Sequence, residues 1–134
     1  MEMKVSFPGN LRVDADFGGF TVATDQPVSE GGDGSAPAPF DLFIASLGTC
    51  ARIYMLAFMK QHGIDPAGSG ITLNTEADLA KGMIGKISFD LQLPDWFPEK
   101  YEQAVVRAVD QCTVRRHIQD PPTFAVSASR TLPG

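Results

Sequence analysis

Apolar and polar residues alternate along the first third of the chain in three short runs, "KVSF", "LRVDAD" and "FTVATD". Pro8-Gly9-Asn10 and Gly18-Gly19 separate them, residues that favour tight turns, so the pattern predicts a three-stranded meander. The Gly/Pro/Ser-rich "SEGGDGSAPAP" then reads as a mobile loop; it has neither the lysine spacing of a P-loop nor a GxGxxG pattern. From "FDLFIASLGTCARIYMLAFMK", residues 40–60, the polar side disappears almost completely. Pro39 suits a first helical turn, Asp41 complements the positive end of the helix dipole, and Gly63 followed by Pro66 marks the end near His62. A helix that is apolar all round must be covered all round. One small sheet covers one side, so a second chain is expected on the other.

Alternation returns in "ITLNTEADL" and "KISFDLQL", which read as a hairpin turning between Ala80 and Gly85, each strand with one wet and one dry face. Such strands suit an antiparallel sheet packed on a helix, which makes the class α+β. "PDWFPEKYEQAVVRAVDQC" opens with a turn and continues as a second helix, whose stripe is Tyr101, Val105, Ala108, Val109 and Cys112. Pro121-Pro122 stops the chain before "TFAVSAS", an expected last strand with Phe124, Val126 and Ala128 alternating.

The 134 residues are expected to form a single domain over 1–134, large enough to fold without disulfide staples. A net charge of −5, with Arg115-Arg116-His117 as the only dense basic cluster, excludes a nucleic-acid partner. Arg52 in the middle of the apolar helix argues against a membrane span. The N-terminal "MEMKVSFPGN" lacks a cationic region followed by an apolar core, so a cytoplasmic location is expected, where thiols stay reduced.

That location gives the two cysteines, Cys50 and Cys112, three readings. Free cysteine packs as a small hydrophobe, and both fall on inward positions of expected helices. Structural zinc wants close pairs such as CxxC, which the chain lacks, so no metal site is expected. A Cys/His pair is the third: His117 faces away from Cys112 on a shared helix but could meet Cys50 through the fold. His62 reads as a helix-end cap, Arg52 as half of an ion pair, and Arg115 and Arg116 as helix-end charges able to meet an anionic tail.

The runs "APAPFDLFIASLGTC", "LQLPDWFPEKYEQAVVRA" and "QCTVRRHIQDPPTFAV" resemble the OsmC/Ohr family, the osmotically inducible protein C and organic hydroperoxide resistance proteins. The resemblance spans most of the chain, and the two cysteine settings are its most specific part. It implies an intertwined homodimer in which antiparallel sheets pack around long central helices. It also implies a thiol-dependent peroxidase acting on organic hydroperoxides or hydrogen peroxide, with no cofactor and an external thiol as reductant. Carried over by position, Cys50 is the peroxidatic thiol, oxidised to a sulfenic acid, and Cys112 the resolving thiol that closes a Cys50–Cys112 disulfide. Arg12 is the candidate site arginine. The hydroperoxide-resistance branch has a glutamate after the proline to hold that arginine; here Phe40 stands there, and Asp41, one residue on, is the nearest carboxylate.

Lowering a thiol pKa from about 8.5 to about 6 raises the thiolate at neutral pH roughly thirtyfold, but the accompanying loss of nucleophilicity leaves only about threefold. Fast peroxide reduction therefore requires a cation such as Arg12 on the leaving oxygen, where a preorganised donor contributes about 2.7–4 kcal/mol. The apolar neighbours Phe40, Phe43, Leu47 and Tyr54 would favour an organic peroxide. The same residues equally suit an alternative, a non-catalytic dimeric OsmC-like protein that binds a small hydrophobic ligand.

Overall fold

The computed structural model describes residues 1–130, so the last four positions of the expected domain lie outside the described residues. Two compact units result, one of residues 1–49 and 72–89, the other of residues 50–71 together with the chain from Asp90 onward.

The meander is present as β1 (Lys4–Gly9), β2 (Arg12–Phe17) and β3 (Phe20–Thr24), in that spatial order and antiparallel. Phe17 pairs with Phe20 across Gly18-Gly19, whose φ values of 53° and 81° provide the turn that a tight hairpin demands. β1 extends two residues further than expected, through Pro8 to Gly9, and its register slips between Ser6 and Gly9. A proline without an N–H is tolerated there because β1 is an edge strand.

The glycine-rich segment that reads as a mobile loop is instead tied down. Asp25 accepts from the Gln26 amide at 2.7 Å, the Ser35 amide at 3.0 Å and the Ser35 hydroxyl at 2.5 Å, and its own amide donates to Pro37 O at 3.1 Å. A short 3₁₀ turn, Val28–Glu30, lies between. Gly32 passes so close to Gln26 that an added Cβ would stand 2.0 Å from its carbonyl oxygen, so only glycine fits.

Helix α1 (Pro39–Gln61) runs as its boundaries predict. At its start the Asp41 carboxylate accepts from the Ala38 amide at 3.1 Å, the reciprocal half of a capping box. At its end Gly63, with φ of 65°, donates to Lys60 O, and Ile64 donates to Met59 O at 2.8 Å. That is a Schellman motif, and Ile64 and Met59 are both buried. Leu47, Ala51, Met55 and Met59 form the buried stripe at four-residue steps, while Phe40, Phe43, Ile53 and Leu56 stay exposed. By length and a mean hydropathy of 1.7 the helix could cross a membrane. Its Arg52, expected in an ion pair, instead donates to the Ser69 carbonyl at 3.2 Å and Met55 Sδ at 3.1 Å.

The hairpin is β4 (Gly70–Asp78) and β5 (Met83–Gln92), a two-stranded sheet with Gly82 at φ of 63° in its turn. After the turn at Pro94–Phe97 and a 3₁₀ turn at Glu99–Tyr101, α2 covers only Glu102–Asp110. The expected single helix breaks at Gln111–Cys112 and restarts as α3 (Thr113–Gln119). Cys112 leaves helical space, with φ of −47° and ψ of 131°, and becomes the residue that precedes the first turn of α3. Val105, Val109 and Cys112 of the expected stripe are buried as anticipated. The last strand is absent: residues 121–130 form no helix or strand, and Phe124 and Val126 stand 88% and 99% exposed. The alternation there is real, but a strand exists only when its backbone groups have a partner strand, and within the described chain this segment has none.

Candidate functional site

The second unit joins both cysteines. α1 presents Cys50 half-buried, and the break between α2 and α3 presents Cys112 with 2% exposure, both as free thiols. The two thiols act on each other's ionisation, each shifting the other's pKa. Cys112 stands where an N-cap side chain would stand, but it makes no capping bond to its own helix. The Val114 and Thr113 amides of α3's first turn favour charge on the Cys50 sulfur.

These contacts separate the two thiols electrostatically. Burial by itself would push the Cys50 thiol up, but the Val114 amide, the Cys112 thiol, the Thr113 amide and the Arg116 charge outweigh it, and the pKa falls below the ordinary value. Cys112 moves the other way. Burial raises it first, the Arg115 amide opposes, and the hydrogen bond and negative charge of Cys50 raise it further. The surroundings thus favour ionisation of Cys50 over that of Cys112.

Tyr54, four residues after Cys50 on α1, shares a hydrogen bond of 2.7 Å with Thr113 Oγ1, and Arg116 Nη2 donates to that same oxygen at 3.4 Å. Arg115 pairs with Asp110. His117 Nδ1 meets Thr113 O at 2.7 Å, back along its own helix. His62, expected as a helix-end cap, meets the Phe58 carbonyl at 2.8 Å, stacked on Phe58 and beside Tyr101.

Of the other residues singled out in the sequence, Arg12, Asp41, Phe40, Phe43 and Leu47 belong to the first unit. Arg12 Nε donates to Asp14 Oδ1 at 3.2 Å, and Asp14 is itself nearly buried. Asp41 is engaged with the Ala38 amide, as described. Phe40 and Phe43 are partly exposed with ring centroids 5.5 Å apart, and Leu47 is buried. Phe40 and Asp41 also line an open groove of about 690 Å³ with Gln26, Pro27 and Glu30. Among the described residues no three His, Cys, Asp or Glu side chains gather as a metal site would require.

Sequence reasoning missed the amides of Thr113 and Val114, and placed Arg116 only at a helix end. The signal available was Thr113 directly after Cys112, a β-branched hydroxyl residue that favours a helix start over a helix interior.

A family model described as OsmC-like protein matches residues 32–127. Among curated proteins none matches the sequence. Solved structures share the fold. A Psychrobacter arcticus protein ascribed to the osmotic stress and detoxification response is 22% identical, with a TM-score of 0.72 over 85% of each chain. An OsmC-like protein of Mycoplasma pneumoniae is 10% identical with a TM-score of 0.71, over 90% of this chain and 87% of that one. An organic hydroperoxide resistance protein of Legionella pneumophila is 20% identical with a TM-score of 0.57, over 88% of each.

Proposed function

The chain belongs to the OsmC-like protein family, and on that premise we propose that it is a cytoplasmic, homodimeric thiol peroxidase that reduces organic hydroperoxides or hydrogen peroxide. The observation that carries the reading is the Cys50–Cys112 pair, two free thiols that act on each other's ionisation and whose surroundings favour charge on one and a proton on the other. The Cys50 thiolate attacks the terminal oxygen of the peroxide. The O–O bond breaks, the alkoxide or hydroxide leaves with a proton from solvent as alcohol or water, and Cys50 becomes a sulfenic acid. The Cys112 sulfur then displaces that hydroxyl as water, forming the Cys50–Cys112 disulfide, and an external dithiol takes up the oxidising equivalents and restores both thiols.

Two cations divide the work in this reading. Arg116 favours the thiolate, and Arg12 orients the peroxide and stabilises the leaving oxygen. Asp14 takes the clamp on Arg12, since the Asp41 carboxylate is engaged at the start of α1. Phe40, Phe43, Leu47 and Tyr54 supply the apolar surroundings that favour an organic peroxide. The alternative of a non-catalytic carrier for a hydrophobic ligand draws less support. The groove beside Phe40 is flanked by the Glu30 and Asp41 carboxylates, which an apolar ligand would have to desolvate.

The test mixes reduced protein with cumene hydroperoxide, and separately with hydrogen peroxide, and reads intact mass after a rapid quench beside Cys50→Ser and Cys112→Ser. Wild type should lose about 2 Da as the disulfide closes, and Cys112→Ser should instead gain one oxygen. Slow oxidation at one common rate in all three proteins would overturn the reading.

A further inference from the structure

The first turn of α3 has little to hold it in place. The helix has seven residues, too few to be stable alone, and the side chain that precedes it makes no capping bond. Yet its Thr113 and Val114 amides must stay near Cys50 for ionisation of that thiol to be eased. One side chain on α1 spans the gap. Tyr54 lies one helical turn beyond Cys50, on the same side of α1, and its hydroxyl meets Thr113 Oγ1 at 2.7 Å. That oxygen also receives Arg116 Nη2, so the Tyr54 contact bears on the amides and the guanidinium together.

We propose that Tyr54 is a positioning residue for Cys50: its hydroxyl, by holding Thr113, fixes the start of α3 against α1 and keeps that first turn and Arg116 beside Cys50. The inference rests on Cys50 being the reactive thiol. The titratable and charged groups near that sulfur are Cys112 before α3, Arg116 on α3, and Arg52 and Tyr54 on α1. Arg52 is engaged with Ser69 and Met55, and the neighbouring Arg115 with Asp110. The Tyr54 hydroxyl acts through Thr113, while its ring stays among the apolar surroundings of Cys50, which Tyr54→Phe preserves.

The test is the rate of Cys50 carbamidomethylation by iodoacetamide between pH 5 and 10, located by peptide mass, in wild type, Tyr54→Phe, Thr113→Ser and Thr113→Val. Melting curves establish that each variant is folded at the assay temperature. The midpoint in Tyr54→Phe should rise by about half to one pH unit, a threefold to tenfold loss of rate below both midpoints, with the high-pH plateau unchanged. Thr113→Ser, which keeps the hydroxyl, should follow wild type. Thr113→Val should match Tyr54→Phe, and the double variant should add nothing further. A Tyr54→Phe midpoint equal to that of wild type overturns the inference, as does a Thr113→Val midpoint that stays put while Tyr54→Phe moves. A wild-type Cys50 that titrates at or above the ordinary thiol value, or fails to react until the protein is denatured, overturns the peroxidase reading instead.

Discussion

Single residues carry two kinds of information in this chain, and Asp25 and Cys50 illustrate them. Asp25 is buried at the end of β3 and fully hydrogen-bonded. The Ser35 hydroxyl, then the Ser35 and Gln26 amides, hold its pKa down to about 2 from the ordinary 3.8. The folded state therefore resists protonation that the unfolded chain accepts. Its contribution to stability is complete above about pH 4 and disappears as the pH falls through about 2. Thermal melts of wild type should lose ground across that window, and Asp25→Asn should lose less because it has no proton to take up. Identical acid profiles for the two proteins would mean that the Ser35 contacts contribute no differential binding of the charge. Nothing in the sequence marks Asp25, since its partner lies ten positions away in a segment that composition alone describes as loose. Cys50 is the opposite case. It is visible as an anomaly in an apolar run, but its environment comes from Thr113, Val114 and Arg116, and no local pattern connects those residues to it.

At the scale of elements, what was legible in the sequence was whatever a residue of special backbone chemistry punctuates. Pro39 and Gly63 bracket α1 to within two residues, and Gly18-Gly19 sets the β2–β3 turn. The break between α2 and α3 was not legible because Val105, Val109 and Cys112 keep a helical step of four and three residues across it. The buried side chains continue the period although the backbone between them does not. Gly63 puts a cost on one such backbone position. At φ of 65° an added Cβ meets no neighbour within 4 Å, so Gly63→Ala isolates the cost of the left-handed backbone from any clash. It should lower unfolding free energy by about 1–2 kcal/mol in urea titrations, with an unchanged m-value. A loss far larger than that would require the Ile64–Met59 contact to come apart as well. The same substitution should leave Cys50 alkylation unaffected, since the cap lies three turns further along α1.

The whole molecule poses a question that no element answers: apolar surface is left over in three separate places. The β1–β3 sheet leaves Val5, Phe7 and Phe20 at 65%, 81% and 68% exposure, α1 leaves Ile53 at 62%, and the segment after Pro122 leaves Phe124 and Val126 open. Isolated exposed hydrophobes are ordinary, but a sheet face, a helix face and an alternating strand sequence left open in one chain are not. Each fully buried Phe or Val is worth about 1.5–3 kcal/mol, so covering these positions together favours association strongly. In the homodimer proposed above, a second copy would satisfy all three requirements at once: it would cover α1 on the side its own chain leaves bare and offer "TFAVSAS" a strand to pair with. The alternation that reads as a strand in the sequence would then describe the assembly and not the lone chain. Sedimentation equilibrium should accordingly give about twice 14.4 kDa for wild type. Ile53→Asp, which places a charge on the open face of α1 without touching its buried stripe, should shift the protein to monomer. A wild type that sediments as a monomer at micromolar concentration would sink the dimer. If instead Ile53→Asp stays dimeric and Phe124→Asp does not, the contact runs through the C-terminal segment rather than through α1.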